Sequence, residues 1–123
     1  MSTLYLEYWT EGDDFCISAW DEEEFEEELT LEGESSVLLG HIATLYNILE
    51  EKETERLKEF EASLAFVSER LLKPFTSQID THDFIRFIVF EDLIHAPLDL
   101  LLYRGQYLFL QRQVCYQIDE GYV

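Results

Sequence analysis

Basic residues are scarce in this chain. Eight Lys and Arg stand against 27 Asp and Glu, a formal net charge of −19 over 123 residues. Residues 1–34 contain neither Lys nor Arg, yet hold thirteen acids. Phosphate backbones are gripped by cationic surfaces, so this balance argues against nucleic-acid binding. Cysteine is equally sparse. Cys16 and Cys115 lie in strand-like segments with no paired or metal-type spacing, as expected of two reduced, buried thiols in a cytoplasmic protein. The five glycines are isolated from one another, so no glycine-rich phosphate cradle can form. No apolar run approaches the ~18–20 residues that span a bilayer. The opening Met-Ser-Thr-Leu-Tyr-Leu-Glu-Tyr-Trp lacks the basic and apolar regions of a secretion signal, and the expected location is cytoplasmic. Internal repeats and low-complexity linkers are absent too.

What is present is the composition of a folded domain: 47% apolar and 15% aromatic residues. The length predicts one domain, 1–123, large enough to bury most of its apolar surface without staples. The acids are unevenly spread, and the 89 residues after position 34 carry a net charge of only −6. A basic partner surface, or solubility alone, accounts for such a charge.

Periodicity predicts an α/β fold: an N-terminal β-hairpin or meander, two helices, then the central strands of a mixed sheet. Residues 4–20 form the hairpin. Leu4, Leu6 and Tyr8 share one face and Gly12 sits in the turn. Phe15, Ile17 and Ala19 alternate with Cys16, Ser18 and Trp20. The acidic run 21–28 reads as a solvated loop, and 29–31 as a short third strand. Ser35 or Ser36 is a candidate N-cap for a helix carrying Leu38, Ile42, Leu45 and Leu49. The polar segment 50–56 marks a junction. A second helix uses Leu57, Phe60, Leu64, Val67 and Leu71, and Pro74 ends or kinks it. Residues 76–83 read as a polar loop. The nearly continuous apolar run 84–90 predicts a strand covered on both faces. A short helical turn starts at Pro97, with Asp99 at its dipole-favoured end. Residues 107–118 then form one long strand or two short ones. Leu108, Leu110, Val114, Tyr116 and Ile118 would lie on one face, and Phe109, Gln111, Gln113, Cys115 and Gln117 on the other. Such a strand, left at a sheet edge, is a template for pairing.

Reactive constellations are weak. His41 lacks a carboxylate partner at helical spacing. His82 lies in a polar loop beside Asp80 and Asp83, the setting of a surface histidine. His95 and Cys115 could form a thiol–imidazole pair in space, but Cys115 stands mid-strand, where a thiol is usually inert packing. Carboxylates are too abundant for any one pair to stand out, and the acidic run lacks the calcium-loop pattern. No catalytic, metal or cofactor site is expected.

Residues 86–118 carry a resemblance to a known family. The apolar strand 86–90, the turn Pro97-Leu98-Asp99-Leu100-Leu101 and the segment from Tyr107 through Cys115 and Tyr116 resemble the first half of a CHAT domain, a peptidase module related to caspases and separase. Leu98 stands where that family usually has Trp or Phe. The order of hairpin, helix, and second helix ending in Leu71-Leu72-Lys73-Pro74 is similar too, so the resemblance spans about residues 4–118. It implies a caspase-like half domain. The family's catalytic His-Gly and its later Cys have no counterpart here, since no histidine precedes a glycine and neither cysteine has small neighbours.

The resemblance implies a non-catalytic protein-interaction subunit that pairs with or regulates a separate caspase-like peptidase chain, in the setting of bacterial defence systems. Candidate partner-binding residues are Tyr107, Phe109, Gln111 and Gln113 on the last strand, and Phe25 with Glu22, Glu23 and Glu24 in the acidic run. The base-free N-terminal third supports an alternative: an acidic inhibitor, immunity protein or nucleic-acid mimic that binds a basic partner.

Overall fold

The computed structural model describes residues 2–118. Five strands form one mixed sheet. β1 (Thr3–Glu11) and β2 (Asp14–Trp20) make the expected hairpin. Its two-residue turn places Gly12 at φ 60°, a conformation that glycine adopts without steric cost. β3 (Glu26–Leu31) adds antiparallel to β2, and β4 (Phe84–Val89) returns parallel to β1 on its other side. β7 (Gln113–Ile118) pairs parallel to β4 and forms the second edge.

β3 starts earlier than its hydropathy suggests. Residues 26–28 of the acidic run belong to the strand, with Trp20 opposite Glu26 and Ser18 opposite Glu28. An edge strand tolerates this because its carboxylates remain in water. The loop shrinks to residues 21–25, closed by Asp21, whose Oδ1 accepts the N–H groups of Glu23 and Phe25, each at 3.0 Å.

Two helices cover one sheet face: α1 (Ser35–Glu51) and α2 (Leu57–Leu71). Neither serine caps α1. Glu34 occupies the N-cap, and the Ser35 hydroxyl instead donates to the Gly12 carbonyl, tying the helix to the β1–β2 turn. Leu38, Ile42, Leu45 and Ile48 form the buried stripe of α1, whereas Leu49 is exposed. Leu57, the first residue of α2, is exposed as well. Phe60, Leu64, Val67 and Leu71 face inward and pack on Leu4, Leu6, Tyr8, Phe15, Ile17, Ile85 and Phe87 in a single core. The buried Tyr8 hydroxyl donates to the Leu71 carbonyl at 3.0 Å and fixes β1 against the end of α2.

The helical layer continues past Pro74, which sits in a 3-10 turn, into α3 (Thr76–Asp80). Pro is accepted there because the first turn needs no N–H. Most of the segment expected as a polar loop is thus helical, anchored by the buried Ile79. Residues 107–118 follow the second expectation, two short strands rather than one long one. β5 (Leu102–Tyr103) and β6 (Gln106–Tyr107) make a separate hairpin, whose turn residues Arg104 and Gly105 both have positive φ. A 3-10 turn over Leu108–Leu110 then leads into β7. Among the described residues, no helix is long and apolar enough to cross a membrane.

Candidate functional site

The two sheet edges are chemically opposite. β3 presents Glu26, Glu27 and Glu28, a run of like charge that opposes pairing with a further strand. β7 reads Gln-Val-Cys-Tyr-Gln-Ile, with no charge and no proline. The Gln113 N–H donates inward to the Asp83 carbonyl at 3.4 Å. Backbone alternation then turns the N–H and C=O groups of Val114 and Tyr116 toward the free side.

β7 is firmly seated. The Tyr116 ring packs against Phe87 with centroids 5.8 Å apart. Its hydroxyl donates to Asp99 Oδ1 at 2.7 Å and accepts the Asp99 N–H at 2.9 Å. Burial, and then the Asp99 carboxylate, push the Tyr116 pKa well up, so the phenol stays a donor at neutral pH. Asp99 therefore clasps the edge strand. Tyr116 and Ile118 still remain about half exposed.

Beside β7, the 3-10 turn redistributes the expected partner face. Tyr107, Phe109 and Gln111 do not continue the face of Gln113, because the turn breaks the two-residue alternation. Tyr107 and Phe109 stack at 5.9 Å and are exposed, as is Leu110, which the alternation assigned to the opposite face. Gln111 is structural. Its Nε2 donates to the Tyr103 carbonyl at 2.8 Å and holds the β5–β6 hairpin closed. Gln113 is exposed on β7 itself.

Glu22, Glu23 and Glu24 project from the acidic loop into solvent, and Glu22 accepts the Tyr5 hydroxyl at 2.9 Å. Phe25 is not a free anchor: it is half-buried against the core. The loop is pinned from beneath by His82, which is buried rather than on the surface. Its Nε2 lies 3.0 Å from Asp21 Oδ2 and its Nδ1 2.5 Å from the Gln78 carbonyl. Partial burial opposes ionisation of Asp21, but the His82 contact and the two backbone N–H donors outweigh it and lower its pKa.

The sheet's second face is the feature that sequence reasoning missed. Tyr5, Trp9, Cys16, Trp20, Phe84, Arg86 and Ile88 point away from α1 and α2 and lie outside the main core cluster, although Cys16 and Ile88 are buried. β4 is accordingly not covered on both faces. Ile88 is buried between its register neighbours Glu7 and Gln117, while Phe84 and Arg86 remain partly open. Register aligns Glu26, Trp20, Tyr5, Arg86 and Cys115 in one row across all five strands. The next row is Glu28, Ser18, Glu7, Ile88 and Gln117. Tyr5 and Trp20 stack at 5.4 Å, and the Arg86 guanidinium lies 5.9 Å from the Tyr5 ring centre. The Arg86 Nε is buried without a hydrogen-bond partner. Alternation in β1 contained this face, since Tyr5, Glu7 and Trp9 interleave with the core residues.

The histidines and cysteines do not converge. His41 Nδ1 meets the buried Ser63 hydroxyl at 2.9 Å, a bond between α1 and α2, and its ring stacks on Phe66. His95 stacks on Tyr46 of α1, whereas Cys115 lies on the opposite sheet face, so the two form no thiol–imidazole pair. Cys16 is buried, which pushes its thiol pKa up. Cys115 is exposed, contrary to the packing role its position suggests, because an edge strand has a neighbour on one side only. No protein-family model matches the chain, and no curated protein matches it in sequence.

Proposed function

We propose that this chain is a non-catalytic protein-interaction subunit whose β7 edge receives a strand from another chain. One observation carries the reading: of the two sheet edges, β3 is guarded by three consecutive glutamates, while β7 is uncharged and firmly seated with one side unpaired among the described residues. Natural sheets blunt edges that must not pair, and the asymmetry supports β7 as the pairing edge. Strand addition would draw affinity from the outward N–H and C=O groups of Val114 and Tyr116. The exposed Tyr107, Phe109 and Leu110 beside the strand would supply apolar contacts. A caspase-like peptidase chain is the partner that the resemblance of residues 86–118 to CHAT domains implies.

Co-expression with a caspase-like peptidase chain from the same genome tests this. A stable complex is expected, with the Val114 and Tyr116 amides newly protected from hydrogen exchange. Gln113→Lys/Gln117→Lys, which charges the edge without touching the core, is expected to weaken the complex by at least about tenfold. A chain that stays monomeric and binds no such peptidase, or a complex that leaves those amides unprotected, overturns the proposal.

A further inference from the structure

We propose that the sheet face opposite α1 and α2 is a docking surface for a basic amphipathic helix of a partner protein. The surface borders on β7 but does not use the outward backbone groups of its edge. Three observations converge on this occupant.

The first is layering. A sheet of mixed topology is ordinarily packed on both sides when both sides carry apolar groups. Here α1 and α2 serve one side. The other carries the partly exposed Tyr5, Trp9, Trp20 and Phe84, and among the described residues no helix joins their cluster. A strand of six residues runs about 20 Å, the length of a helix of about 13 residues. Four interstrand spacings give about 19 Å across, room for two helices about 10 Å apart.

The second is charge. The five strands contain a single cation, Arg86. Glu26 and Glu28 stand exposed on the uncovered face, and Glu22 reaches its rim through the Tyr5 hydroxyl. A helix with Lys and Arg flanking an apolar stripe would meet carboxylates with its charged borders and aromatic rings with its centre. Cations also sit favourably over indole and phenol faces. A second copy of this chain is a poor occupant, since each copy carries −19.

The third is the character of the aromatics. Trp and Tyr dominate the anchors of protein interfaces, because they bring large area and lose little entropy. Both tryptophans of the chain, Trp9 and Trp20, lie on this one face. They also make the surface report on itself.

The test is a fluorescence titration of the full chain with a synthetic helical peptide of Lys and Leu at amphipathic spacing. The same apolar pattern with Glu in place of Lys is the charge-reversed control. A saturable shift of tryptophan emission is expected with the Lys peptide and none with the Glu peptide. Affinity should fall by about tenfold or more between ~0.05 M and ~0.5 M salt. Glu26→Gln/Glu28→Gln should weaken binding by about fivefold or more. Glu50→Gln/Glu61→Gln, which removes equal charge from the helical side, should change it by less than about twofold. Absence of binding overturns the proposal. So does binding without a change in tryptophan emission, or equal weakening by both double substitutions, which marks a diffuse polyanion effect.

Discussion

At the scale of single residues, buried and half-buried polar groups hold the loops that carry the surfaces. Asp80 is the clearest case. The Arg104 guanidinium contacts it at 3.0 and 2.5 Å, and the Tyr103 hydroxyl also donates to it. Those bonds, with Arg104 first, hold its pKa down to about 2. The folded value lies below the unfolded value of about 3.9, so the stabilisation is complete above about pH 4 and is lost as pH falls toward 2. Asp80→Asn should lower the urea midpoint at pH 7. It should flatten the acid limb between about pH 4 and about 2, so that variant and parent converge near pH 2. Urea titrations at pH 7, 4 and 2 measure this. A variant whose acid limb stays as steep as the parent's would remove Asp80 from the account. His82 shows how much a residue's neighbours matter. Thr-His-Asp looks like a surface tripeptide, yet Asp21, sixty-one positions away, arrives to bind the ring.

At the scale of elements, turn chemistry and apolar spacing were legible, and the element ends less so. The hairpin register, the two helices and the strand at 84–89 follow from alternation and 3.6-residue spacing. Acidic residues 26–28 concealed half of β3, because local polarity says nothing of an available neighbouring strand. α3 was hidden for the same reason, since its one buried residue, Ile79, makes no periodic pattern alone. The end of α1 offers a test with a stabilising sign. Lys52 closes the helix at φ 54°, a left-handed position that costs an L-residue about 1 kcal/mol and glycine almost nothing. Lys52 is exposed, so Lys52→Gly should raise stability by about 0.5–1 kcal/mol, read as a higher denaturant midpoint at unchanged slope. A lower midpoint would show that the Lys52 side chain contributes more than its backbone costs.

At the scale of the whole molecule, charge and layering dominate. A net charge of −19 with no base before residue 35 makes the folded chain repel itself, and the ion pairs among the described residues are mostly exposed. Screening should therefore relieve more repulsion than it removes attraction. Raising NaCl from ~0.02 M to ~0.5 M is expected to raise Tm by a few degrees in calorimetry. A falling Tm would mean that the surface ion pairs outweigh the repulsion. The same charge guards one sheet edge and one sheet face against self-association, and leaves β7 as the uncharged exception.

The sequence by itself determined the α/β class, the N-terminal hairpin, the two-helix layer and the charge asymmetry. Each is written in periods of two and 3.6 residues or in simple counts, and these need no knowledge of distant neighbours. It also pointed to the last strand as a sheet edge, which is where β7 lies. Only the tertiary structure decided that Gln113 stands on β7 without Tyr107, Phe109 and Gln111, that Phe25 packs on the core, and that His82 is buried. Above all, it decided that β4 is covered on one side. An apolar strand reads the same whether a helix or merely the side chains of adjacent strands shield its second face. That difference lies in which elements meet across the sheet, and no local pattern encodes it.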